Sequence, residues 1–292
     1  MDNINVLEEK KMGIKKSPYY RKKSRGIILV ILNIIMICIV LFPLFYAVSM
    51  SIRPEADLYN LDVGLFPRQI TLKNYMDVFR ISNIGRFIKN SFIVSTVIML
   101  AQLISTSLAA FSFQFLKFKG KGIIFALIMA TMMIPGEATI ISQYLMVSGW
   151  GLQNTLTALF LPYLTSAMGV FLFKQAFETF PVELYESAKI DGCSDIKFFT
   201  YILLPVSRPT IAALSVTSFL GAWNMYMWPL LITGSEKYRT VQIGIAMLNA
   251  ADAQSLLLML AGVVVCMIPS LTIFLIARKN MINGLTAGAV KS

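Results

Sequence analysis

The sequence predicts an all-α integral membrane protein with six transmembrane helices and both termini in the cytoplasm, and three observations carry that reading. First, 57% of the 292 residues are hydrophobic and only 14% are charged, against roughly 25% charged in a soluble domain. Second, the apolar residues gather in six runs: Ile27–Met50, Asn90–Phe113, Gly122–Val147, Leu156–Phe173, Pro209–Ile232 and Leu256–Ala277. Together they hold one charge, Glu137, and each is near or above the roughly 18–20 residues that cross a bilayer as a helix. Third, the basic residues between the runs divide unevenly. With the N-terminus inside, 18 of the 26 Lys and Arg lie on the cytoplasmic side, as the positive-inside rule requires.

The same numbers exclude several classes. A soluble enzyme, a disulfide-rich secreted module and a disordered tail do not have this composition. The net charge of +11 is explained by position and needs no nucleic-acid partner; lipid is the expected surroundings. There is no histidine, so imidazole catalysis, histidine metal sites and histidine proton relays are unavailable, and no metal site is expected. Cys38 and Cys266 lie in apolar runs and Cys193 in an inner loop, which is no disulfide framework. The first run is too long for a cleaved signal peptide, and Phe42-Pro43-Leu44-Phe45 continues it where a small-residue cleavage site would stand.

Along the chain, residues 1–26 read as a basic cytoplasmic tail that sets topology, 27–281 as the six-span domain and 282–292 as a second cytoplasmic tail. The first outer segment carries a short helical pattern around Leu72–Phe79, and Ser148-Gly149-Trp150-Gly151 reads as a tight uncharged turn. No internal repeat or low-complexity segment is visible.

The inner loop at 178–208 is the informative segment, because its charges are mixed where a membrane-surface anchor would be mostly basic. It reads as two short helices. Pro181 suits a first helical position, Glu183 complements the helix N-terminus, and Gly192 provides a stop. Ser194 and Asp195 offer a new cap, and Ile196, Phe199, Thr200 and Leu203 follow at helical spacing. Leu204-Pro205 ends the second helix.

Across that loop run Glu186-Ser187-Ala188, three residues, Gly192, nine residues, and Ile202-Leu203-Leu204-Pro205. This resembles the cytoplasmic signature of binding-protein-dependent ABC importer permeases, Glu-Ala-Ala-x3-Gly-x9-Ile-x-Leu-Pro, with Ser187 for the middle alanine. The resemblance implies the type I importer architecture, with the loop forming a coupling helix that seats in a cleft of an ATP-hydrolysing subunit. Glu186, Ser187, Ala188, Asp191, Gly192, Ile202, Leu204 and Pro205 are then the coupling residues. Small side chains at 187 and 188 allow close approach, Glu186 offers a charge, and Gly192 permits the turn.

Other segments are similar to the carbohydrate-importing members: Phe42-Pro43 with Ser49 and Ser51, and Trp223-Asn224-x-Tyr226-x-Trp228-Pro229-Leu230. The tail Gly284–Lys291 resembles that of the smaller permease of maltose-type transporters, where it reaches between the ATPase subunits. The family implies a second permease chain, two ATP-binding subunits and an extracytoplasmic solute-binding protein. It also implies a subunit without catalysis or cofactor of its own. The chain has no Gly-x4-Gly-Lys-Ser/Thr loop to hold ATP, which leaves hydrolysis to a partner.

Five residues are candidates for the substrate path. Glu137 follows Pro135 within an apolar run, where an ionised carboxylate facing lipid would cost roughly 2.5–3.5 kcal/mol. A gate residue and a carboxylate bonded to a neighbouring span are both compatible. Ala213, Thr217 and Gly221 form a small-residue stripe that predicts a close helix contact, and continuing it reaches Asn224. Glu137 and Asn224 each lie about 22 Å along their runs at 1.5 Å per residue, so one shared site is expected. Trp223, Tyr226 and Trp228 are either sugar-stacking platforms or an interfacial belt. A permease for glycerol-3-phosphate or another small solute, and an ion-coupled secondary transporter, are the alternatives.

Overall fold

The computed structural model describes residues 18–59, 64–250 and 256–289, and these contain helices and turns without strands. Three helices are single apolar rods long enough to cross a membrane: within α1 (Pro18–Ser51) the stretch Leu29–Ser51, then α3 (Ile84–Phe115), and Leu256–Ile276 at the start of the last helix. Three bent pairs bring the total to as many as six spans. The short helix α2 (Lys73–Ile81) lies where the periodicity around Leu72–Phe79 places it.

Three of the runs are not continuous helices, and proline explains two of the breaks. The third run divides into α4 (Lys121–Thr131) and α5 (Gly136–Gly149), bent by 97° at Met132–Pro135. Pro135 has no N–H to donate and pushes the residue before it out of the helical region. The fourth run divides into α6 (Leu156–Phe160), continued by a 3-10 turn through Pro162, and α7 (Ala167–Glu178), at 46°. Ser166 restarts that helix by accepting from the Gly169 N–H. The fifth run ends early: after α11 (Arg208–Trp223) it breaks at Asn224–Tyr226 and resumes as α12 (Met227–Ile232).

Between them lie α8 (Val182–Ile190), α9 (Asp195–Phe198) and α10 (Leu204–Val206); α13 (Val241–Ala250) and α14 (Leu256–Ala289) close the chain. Of the two tails, only 18–26 and 282–289 fall within described helices, and the chemistry expected of their side chains lies outside the described residues.

Helix α3 is the mast. Ile84 and Phe87 at its start pack with Phe219, Trp223 and Val241. Val94 and Ile98 at its middle pack with Leu159, Trp228 and Ile232. Phe111 and Phe115 at its end pack with Phe173, Phe177, Phe198 and Phe199. Close approach is built in: a Cβ on Gly169 would meet Thr106 Cγ2 at 2.9 Å. Polar staples add to this. Asn90 donates to the Lys237 and Arg239 carbonyls at 2.9 Å each, and Asn74 to those of Ser51 and Arg53 at 2.8 Å each.

Candidate functional site

The loop at 178–208 folds as two helices, with two adjustments to the sequence expectation. Pro181 stands one position earlier, as the N-cap of α8. Gly192 takes φ +79°, a left-handed conformation that a side chain would strain, and Ser194 caps α9 through the Lys197 N–H. The second helix does not stop at Leu204-Pro205. It widens into a π-turn over Phe199–Leu203, where the Leu204 N–H reaches back to the Phe199 carbonyl, and runs to Val206. Pro205 cannot donate, and the turn before it absorbs that loss. The buried face is therefore Phe198, Phe199 and Leu203, while Ile196 and Thr200 are exposed.

Helix α8 shows two faces. Glu186, Ser187, Ile190 and Asp191 are exposed, Ile190 at 86%. Ser187 Oγ donates to the Glu183 carbonyl at 2.8 Å, so its hydroxyl is spent within the helix and position 187 stays small. Ala188 and Tyr185 face inward onto the aromatic cluster. Ile202 and Pro205 are exposed and Leu204 is half-buried.

Tyr185 is the inward anchor. Its ring sits edge-on to Phe198 at 4.9 Å and tilted to Phe115 at 5.0 Å, which joins α8 to both α9 and α3. Its hydroxyl donates to Asp195 Oδ1 at 2.7 Å, and Lys189 Nζ donates to the same oxygen at 2.8 Å. These two hydrogen bonds, Lys189 first, hold the Asp195 carboxyl below the usual carboxylate range. Burial, and then the bond to Asp195, pushes the Tyr185 phenol up to about 12. Sequence reasoning passed over Tyr185, Lys189 and the Phe111–Phe115 partners; the visible signal was the density of Phe in 111–115 and 173–199.

The path candidates do not converge. Glu137 is exposed in the first turn of α5, where a carboxylate suits the helix N-terminus. The 97° bend before it removes the common depth with Asn224 that a straight span gives. Trp223 and Trp228 are each 1% exposed inside the core. Trp223 stacks on Phe219 at 5.8 Å, and Trp228 Nε1 donates to the Ala158 carbonyl at 3.1 Å. Asn224 and Tyr226 are exposed at the break in the fifth run, and Asn224 Oδ1 accepts from Gln242 at 3.3 Å. Thr217 and Gly221 of the small-residue stripe are exposed, and a Cβ on Gly221 would meet nothing within 4 Å among the described residues.

Instead they border a groove of about 270 Å³ between α3, α7 and α11, with Gln102, Ser166 and Ser218 on its walls. Gln102 and Ser105 of α3 donate to the Tyr163 and Leu164 carbonyls at 2.9 and 3.0 Å. They satisfy carbonyls freed where the fourth run breaks.

Apolar helices long enough to cross a membrane, with a braced loop helix turned outward, describe a multi-pass helical membrane protein. Residues 102–283 match the family model described as the binding-protein-dependent transport system inner membrane component. The chain is 32% identical over 256 residues to the arabinooligosaccharides transport system permease protein AraQ of Halalkalibacterium halodurans, covering 87% of this chain and 92% of that one. It is 32% identical over 269 residues to the sn-glycerol-3-phosphate transport system permease protein UgpE of Brucella melitensis, covering 89% and 94%. The crystal structure of a bacterial ABC transporter involved in importing the acidic polysaccharide alginate has the same fold, with a TM-score of 0.81 over 89% of this chain and 97% of that chain at 19% identity. The chain belongs to this family of inner-membrane transport permeases, and is a multi-pass membrane protein.

Proposed function

We propose that the chain is the permease subunit of an ATP-driven carbohydrate importer of the type I architecture, and that α8 is its coupling helix. The observation that carries this reading is the outward face of Glu186, Ser187, Ile190 and Asp191 on a helix fixed from beneath by Tyr185. One of two ATP-binding subunits engages that face from the cytoplasmic side, the side that the excess of Lys and Arg favours for both termini. ATP is held and hydrolysed there, and the chain itself does no catalysis. A second, homologous permease completes the pathway. An extracytoplasmic solute-binding protein delivers the substrate, a role suggested by a solved alginate transporter in complex with a pentasaccharide-bound periplasmic protein.

Both relatives named above fit this role, one carrying arabinooligosaccharides and one sn-glycerol-3-phosphate, which keeps a phosphate ester as the second reading. The test is purification of the whole transporter in mild detergent, wild type and Glu186→Lys. Co-purification of an ATPase and a second permease with the wild type, and loss of the ATPase from the variant, is the expected result. A wild-type chain that purifies alone and without ATPase activity sinks the reading.

A further inference from the structure

We infer that the groove between α3, α7 and α11 is a substrate subsite for an uncharged sugar ring, and that it selects neutral saccharides over phosphate esters. The inference rests on the importer reading and adds the place and polarity of the ligand. Gln102 lies near the middle of a 32-residue apolar helix, at the depth where lipid offers polar groups nothing. Its amide is already oriented: Nε2 donates to the Tyr163 carbonyl at 2.9 Å, and Oε1 accepts from Ser218 Oγ at 2.6 Å. An amide nitrogen has two donors, so one N–H remains, and Ser218 keeps its acceptor lone pairs. The exposed Thr217 spends its hydroxyl hydrogen on the Ala213 carbonyl at 3.0 Å and likewise keeps acceptor lone pairs.

Each of these atoms already has a partner, and what the walls offer a ligand is one spare amide N–H and a set of hydroxyl lone pairs. A ring bearing hydroxyls satisfies them, while Met168, Leu214 and Met225 meet its C–H faces. No Lys or Arg is among the lining residues, so an anionic phosphate would enter without a counter-charge. The volume of about 270 Å³ lies just below the roughly 300 Å³ at which ligand sites begin, which limits the occupant to a single ring.

The test uses the assembled transporter in nanodiscs, with Cys38, Cys193 and Cys266 changed to Ala and a single Thr217→Cys. A charged methanethiosulfonate reagent is expected to label it, and to leave an Ile104→Cys control on the apolar surface unlabelled. Arabinotriose at about ten times its Kd should slow the Thr217→Cys reaction about tenfold by mass action, with sn-glycerol-3-phosphate without effect. Failure to label shows the groove covered by the second permease and overturns the inference. So does protection by the phosphate ester alone, or labelling that neither arabinotriose nor maltotriose slows. ATPase activity of the same preparation keeps the two readings apart. Intact hydrolysis with failed protection removes the subsite and leaves the importer standing, and a preparation without ATPase removes the importer.

Discussion

Tyr185 donates its hydroxyl hydrogen to Asp195 Oδ1 at 2.7 Å, across the turn at Gly192 and from inside the aromatic cluster that ends α3. One side chain thus fixes the loop helix to the second loop helix by a hydrogen bond and to the membrane-crossing mast by its ring. Tyr185→Phe removes the first link and keeps the second. It should cost about 1 kcal/mol in thermal unfolding, leave assembly with the ATPase intact, and lower the sugar transported per ATP hydrolysed. An unchanged transport-to-hydrolysis ratio would show that the hydrogen bond plays no part in coupling.

The pH response of this brace follows from the directions of its two shifts. A carboxyl whose folded pKa lies below its unfolded value of about 3.9 stabilises the fold above that value, and the contribution vanishes as pH falls through the folded pKa. Asp195 is such a group. Tyr185, pushed up to about 12, stays a protonated donor far above neutrality. Hydrogen exchange of the 182–200 amides, corrected for intrinsic rate, should show constant protection across neutral pH and weaken only in acid. A step in protection near neutrality would assign the brace to some other group.

Trp228 tests whether aromatic residues of the fifth run stack on sugar or hold the core. Trp228→Phe removes the only hydrogen bond given to the Ala158 carbonyl by a side chain among the described residues. It should destabilise the protein by roughly 1–3 kcal/mol, the penalty for a buried polar group left unpaired. The apparent affinity for sugar should stay as it is. A shifted affinity with unchanged stability would return Trp228 to the pathway.

Gly169 lies where α7 meets α3 and α11, with Thr106 and Leu214 within 3.2 Å of an added Cβ. Gly169→Ala should cost roughly 1–3 kcal/mol by overpacking, read as earlier thermal unfolding in detergent, and Thr106→Ser in the same chain should recover part of it. Equal stability of Gly169→Ala and wild type would mean that these helices separate freely.

The helical membrane class was legible because hydrocarbon demands long apolar runs and the runs stand out from their charged flanks. The loop was legible because capping chemistry is local: Pro181, Gly192 and Ser194 act within a few residues of themselves. The breaks at 132–135 and 164–166 were not, since a proline in an apolar run signals a kink without saying how far it bends. Tyr185 and Asp195 are ten residues apart and meet only because Gly192 reverses the chain. Trp223 and Trp228 carry the same apolar signal whether they line a path or fill a core. Gln102 was overlooked for a related reason: one polar residue inside a long run has meaning only once its neighbours on other helices are known.

The 80° turn between Asp195–Val206 and Arg208–Trp223 makes this part of the chain a bell crank. The first arm is about 18 Å long and the second about 24 Å, at 1.5 Å per residue. If the two arms turn as one piece about Ser207, a travel of about 3 Å at the tip of the first becomes about 4 Å of sideways sweep at the end of the second. The direction of motion changes by nearly a right angle on the way. On the proposed coupling role, a push on the loop would arrive in the bundle as a swing across it, the kind of movement that opens a gap between helices without lengthening any of them.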